Sequence, residues 1–137
     1  MSVGVALVAD IAERVARLFG DCDIEMIEAH HNQKLDVPSG TALMLAKRVQ
    51  SAREGATFNI GRHENGKRPE NEIGIHSLRY GTEVGTHEII FSNGLETITI
   101  RHDAKNRALF ANGALAAAKW LVNQKPGLYG MKDFIAG

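Results

Sequence analysis

The chain has 137 residues, 44% hydrophobic and 23% charged, enough for one domain whose core needs no disulfide or metal. Sixteen basic side chains balance sixteen acidic ones. Without a basic stripe the chain is a poor nucleic-acid binder, because phosphate neutralisation dominates that affinity. The single Cys22 excludes an internal disulfide, fits a reducing, cytoplasmic compartment and reads as structural.

The apolar N-terminus does not read as an export signal, since it lacks a basic leader and Asp10, Glu13 and Arg14 interrupt it. No stretch approaches the roughly 20 apolar residues of a membrane span, so no membrane partner is expected. Val8, Ile11, Ala12, Val15, Leu18 and Phe19 recur at helical spacing, which predicts an amphipathic helix over 3–19 closed by Gly20. Residues 24–30 read as a short strand. Pro38 and Ser39 then open a second helix with Ala42, Leu45, Ala46 and Val49 on its buried stripe.

Residues 54–71 carry Gly, Asn, Pro and the charges Glu54, Arg62, Glu64, Lys67, Arg68 and Glu70 without a period, and read as a mobile surface loop. Three strands follow near 72–80, 84–92 and 95–102, with hairpin turns expected at Gly81-Thr82-Glu83 and Asn93-Gly94. A helix from about 105 to 123 is apolar nearly all round, which predicts burial on most sides. Trp120 on that helix reads as core or interface. The tail from Gly127 to Ile135 holds apolar residues without an obvious local partner. Together these elements predict an α+β fold: an open mixed sheet of about four strands with helices on one face. The other face, rich in Ile and Thr, is a natural subunit contact, so a sheet-mediated oligomer is expected.

The densest chemistry lies in Glu28-Ala29-His30-His31-Asn32-Gln33-Lys34-Leu35-Asp36-Val37-Pro38-Ser39-Gly40-Thr41-Ala42. A helix N-terminus presents unpaired N–H groups and partial positive charge, and so favours a carboxylate or phosphate. Ser39 can cap that helix, while Gly40 and Thr41 let an anion approach the backbone. Lys34 adds a full positive charge, and an imidazole titrates near neutrality. His30 and His31, at the end of a strand, point to opposite faces, so one faces the cleft and the other binds or anchors from the side. Arg101, His102 and Arg107 form a second polar cluster in which Arg107 could fork onto a carboxylate. His63, His76, His87 and His102 lie at no metal-ligand spacing and Cys22 stands alone, so no metal site is predicted.

The motif from Glu28 to Ala42 closely resembles that of the dihydrodipicolinate reductase (4-hydroxy-tetrahydrodipicolinate reductase) family of lysine and diaminopimelate biosynthesis. The resemblance extends through Ser2-Val3-Gly4-Val5, the run Ile73–Gly81, Val84-Gly85-Thr86-His87, Arg101-His102, Phe110–Ala114 and Gly127-Leu128-Tyr129. It implies that His30 is a proton donor and acceptor and Lys34 a second proton donor. It also implies that His31, Ser39, Gly40 and Thr41 bind the substrate, a small cyclic dicarboxylate. The family reduces that substrate with NADPH or NADH. Its members begin with a Rossmann domain, whereas this chain has no glycine-rich phosphate loop, so it resembles the family's C-terminal substrate-binding and tetramerisation domain alone. That implies a homotetramer, no tightly bound cofactor and no turnover by the isolated chain. The alternative is a non-catalytic dicarboxylate-binding or oligomerisation scaffold.

Overall fold

A computed structural model describes residues 1–137. Helix α1 (Val3–Leu18) is capped by Ser2, whose Oγ accepts from the Val5 N–H at 3.3 Å. Strand β1 (Asp23–His30) leads into α2 (Gly40–Ser51), and after β2 (Thr57–Ile60) come β3 (Glu72–Arg79), β4 (Gly85–Ser92) and β5 (Thr97–Ala104). Helices α3 (Ala108–Leu121) and α4 (Met131–Ala136) close the chain.

The five strands form one mixed sheet in the order β2-β3-β1-β4-β5. Strand β1 runs parallel to β3 and antiparallel to β4, and thus lies between two strands that follow each other in sequence. The turn at Gly81-Thr82-Glu83 therefore closes no hairpin; it carries the chain past the end of β1, where Tyr80 N–H donates to His30 O at 3.0 Å. Only β4 and β5 form the expected antiparallel hairpin. A parallel β1–β3 pair needs a long crossover, and α2 with β2 supplies it.

The predicted loop 54–71 contains a strand. Thr57–Ile60 pairs in parallel with β3, and Phe58 packs against the core. Four residues between Gly55-Ala56 and Gly61, with a polar Asn59 among them, are too few to display a period. Beyond β2, Arg62 and Arg68 tie the segment to Glu25, at 2.7 and 3.1 Å, so much of it is anchored to the sheet.

Helices α1 and α2 cover one sheet face. Ala9, Ala12 and Ala16 of α1 and Leu45, Ala46 and Val49 of α2 meet Ile24, Met26, Ile73, Ile75, Ile89 and Phe91. The alternation of each strand sends Ile27, Leu78, Ile90 and Thr99 to the opposite face, where Leu78 is 48% exposed.

Helix α3 departs from expectation: Gly113 is its only buried residue, and Leu115 and Leu121 are exposed. Apolar periodicity states that a helix needs cover, not that the same chain provides it. The tail departs in the other direction. Tyr129 and Phe134 meet the Trp120 ring edge-on, with centroids 5.3 and 5.7 Å away, while Leu128 alone is fully exposed.

Candidate active site

Strand register sorts the helix-covered face into rows. Ile73, Ile24, Phe91 and Ile98 make one row across β3, β1, β4 and β5, and Ile75, Met26, Ile89 and Ile100 the next. The third row is Ser77, Glu28, His87 and His102, with His30 and Arg79 beyond it. Both helices start over this polar end: Ser39 caps α2 there, and a methyl at Gly4 of α1 would sit 3.0 Å from His102 Nε2. The positive end of the α2 dipole therefore lies beside the buried Glu28 carboxylate, an arrangement that favours its charge.

Glu28 is 1% exposed and is the hub of the site. Its Oε2 accepts from His30 Nδ1 at 2.6 Å and from Arg79 at 2.9 Å. Its Oε1 accepts from Arg79 at 2.7 Å and from the Ser39 N–H at 3.1 Å. Burial alone would raise its pKa, but these bonds, led by the Arg79 fork, outweigh it and hold the carboxyl at about 2. Because Glu28 is ionised it can only accept, so His30 donates from Nδ1 and its Nε2 is left for other partners.

The His87 ring stands edge-on to His30 with centroids 5.3 Å apart, and its Nε2 lies 3.0 Å from Ser39 Oγ. Burial first, and then the charge of His30, pushes His87 down to about 4, so it is neutral at physiological pH. Its Nδ1 is buried without a partner, which a neutral ring tolerates better than an imidazolium does.

The predicted site residues occupy one connected segment. His30 is buried, and His31, on the other side of the chain, receives a hydrogen bond from Arg107 at 3.0 Å. The pair diverges as strand alternation requires. Lys34 Nζ pairs with Asp36 at 2.7 Å, and the Asp36 carbonyl accepts from Arg79 at 2.9 Å, which links that stretch to Glu28. Ser39 is buried, its Oγ accepting from the Ala42 N–H at 3.1 Å as helix cap, so its hydroxyl serves the fold and His87. Gly40 is exposed and Thr41 partly so, and both line a largely apolar cleft of about 320 Å³ between α1 and α2. No histidine lines that cleft.

Sequence reasoning missed Glu28, Arg79 and His87. The first was within reach: the same two-residue period that separates His30 from His31 puts Glu28 on the His30 face. Arg79 and His87 carried no such signal, because their place depends on which strands pair.

Comparison with known proteins follows the same division. Residues 4–135 match the family described as "Dihydrodipicolinate reductase, C-terminus". The chain is 50% identical over 135 residues to the 4-hydroxy-tetrahydrodipicolinate reductase of Rickettsia bellii, covering 98% of this chain and 53% of that one. It is 46% identical over 137 residues to the enzyme of the same name from Caldanaerobacter subterraneus, covering 98% and 55%. The chain thus spans about half the length of the curated relatives it matches. Among solved structures it resembles the dipicolinate-bound dihydrodipicolinate reductase from Paenisporosarcina sp. TG-14, with a TM-score of 0.78 and 30% identity over 96% of this chain and 51% of that one.

Proposed function

Since the chain belongs to the dihydrodipicolinate reductase family and matches its C-terminal region, we propose that it is the substrate-holding half of 4-hydroxy-tetrahydrodipicolinate reductase. The reaction assigned is reduction of a hydroxylated cyclic dicarboxylate to tetrahydrodipicolinate in lysine and diaminopimelate biosynthesis. The observation that carries the reading is the pair of hydrogen bonds that Glu28 accepts, from His30 and from the Ser39 N–H, which holds a proton-transfer ring beside a helix N-terminus. The dipicolinate named for the structural neighbour is a compact planar dianion, the class of ligand such a site suits.

A dianion needs two positive anchors. The α2 amides at Gly40 and Thr41 supply one, and Lys34 the other, with its ammonium shifting from Asp36 to the ligand. His31 and Arg107, already in contact, reach the ligand from the side. Departure of hydroxide needs an acid, and His30 and then Lys34 take that role, since an imidazole and an ammonium can each deliver a proton. The assignment of Ser39 to substrate binding narrows to its cap, which orients the neighbouring amides.

The nicotinamide cofactor of the family, NADPH or NADH, does not fit this chain. The β1–α2 connection carries His31, Lys34 and Asp36 where a dinucleotide cradle has glycines against a pyrophosphate. The roles left to this chain's residues are to bind, orient and protonate the substrate; the hydride of the reduction would be supplied by a nicotinamide cofactor. No helix is long and apolar enough to cross a membrane. We assign the protein to the cytoplasm, as a homotetramer joined through the open sheet face around Ile27, Leu78 and Ile90.

Calorimetric titration of the chain with pyridine-2,6-dicarboxylate tests the reading. Binding is expected, weakened roughly tenfold or more by His31→Ala and by Lys34→Ala, the loss that one charge-assisted hydrogen bond represents. Indifference to both substitutions would overturn the reading in favour of a scaffold.

A further inference from the structure

Glu28 has all four of its acceptor positions filled, by one imidazole, one guanidinium fork and one backbone amide. An ion pair built only to stabilise would not have to include the ring. Nor would it have to hold both ends of a loop, as this one does: Glu28 binds the Ser39 amide, and Arg79 binds the Asp36 carbonyl. Gly85 completes the arrangement. A methyl group there would lie 3.0 Å from His30 Nε2, so the bare backbone leaves room for the ring in one orientation.

We propose that Glu28 and Arg79 are positioning residues for His30, Glu28 fixing the Nδ1–H tautomer so that Nε2, beside Gly85, is left to accept or carry the transferred proton, and Arg79 holding that carboxylate and the Lys34 loop in one frame. The inference rests on His30 being the proton-transfer group. Its chemical logic is that of a histidine whose far nitrogen is oriented by a carboxylate. Arg79 adds a second effect. By pairing with both oxygens of Glu28 it fixes the plane of the carboxylate that the imidazole binds.

The choice of nitrogen is directly readable. In ¹⁵N-labelled protein at alkaline pH, where imidazoles are neutral, ring ¹⁵N shifts should show His30 protonated on Nδ1. In Glu28→Gln the amide can offer its own N–H to Nδ1, and the ring should move to the Nε2–H form while the His87 ring signals stay in place. Glu28→Asp, which keeps an acceptor-only group, should restore Nδ1–H. Affinity for pyridine-2,6-dicarboxylate should fall roughly tenfold in Glu28→Gln and less in Glu28→Asp.

An Nε2–H ring in the unsubstituted protein, or an unmoved His30 in Glu28→Gln, overturns the proposal. So does a common shift of His30 and His87, the mark of general disruption. If Glu28→Gln does not fold, the unsubstituted protein and Glu28→Asp still decide the tautomer. If the tautomers behave as stated and no form binds the dicarboxylate, the substrate reading fails while the positioning of the ring stands.

Discussion

On the helix-covered face of the sheet, the same strands build two regions of opposite character. At one end, eight apolar side chains in two rows pack under α1 and α2; at the other, Glu28, His30, Arg79 and His87 lie under the starts of the same helices. The apolar rows gain stability from burial that is roughly proportional to area and indifferent to direction. The polar rows gain little net stability, because desolvating an ion pair offsets most of its attraction. What they gain is orientation: each bond is directional, and Glu28 turns four of them onto fixed partners. The comparison teaches that stiffness at the site is borrowed from the neighbouring apolar rows, whose strands hold the polar ones in register.

The strongest way to break this contrast is Phe91→Ala. Phe91 is fully buried in the apolar rows, and its truncation should cost about 3–5 kcal/mol. Urea unfolding reads that loss, and the His30 ring signals of the remaining folded protein should not move. A change in the His30 tautomer would show that the two regions are not separable.

Next in size is a pH effect confined to the polar rows. His87 has its folded pKa held at about 4, below the usual 6.5, by burial and then by His30. The unfolded chain therefore binds a proton in that window while the folded chain does not, so stability falls as pH drops from 6.5 toward 4. The contribution is about 3 kcal/mol, and His87→Gln should flatten the slope there. Glu28 acts lower: its folded pKa of about 2 lies under the usual 4.5, so its contribution is lost as pH falls from 4.5 toward 2. Unfolding midpoints measured across the range separate the two windows. Equal slopes with and without His87 would contradict the neutral buried ring.

The smallest effect belongs to Arg101, on the opposite face, where it pairs with Glu88 and Asp103 while 53% exposed. Arg101→Ala should leave the unfolding midpoint within error, because an exposed pair is screened and costs side-chain entropy to hold. A large loss would mean that the subunit contact proposed around Ile27, Leu78 and Ile90 extends to the edge strand β5.

Much of this is legible in the amino-acid sequence. Helical spacing from Val8 to Phe19 and around Leu45 marks α1 and α2 within a residue or two, alternation marks β5, and the turn residues Gly81-Thr82-Glu83 and Asn93-Gly94 delimit β3 and β4. The motif at His30, His31, Lys34 and Ser39–Thr41 stood out because it gathers charge, donors and a helix start. Strand β2 was too short to show a period. Helix α3 carries an apolar surface that the rest of the fold leaves exposed, and the partners of Tyr129 and Phe134 are hidden in the sequence because Trp120 is reached only when the tail folds back.

By itself the sequence determined which residues share a face, since a period of two or of 3.6 is a property of the local backbone. It could not determine which strands become neighbours. Only the tertiary structure inserted β1 between β3 and β4, bringing Arg79 and His87 to Glu28 and Ser39 across 51 and 48 residues of chain. Pairing is decided by how the whole apolar face is buried at once, and that sum has no local trace.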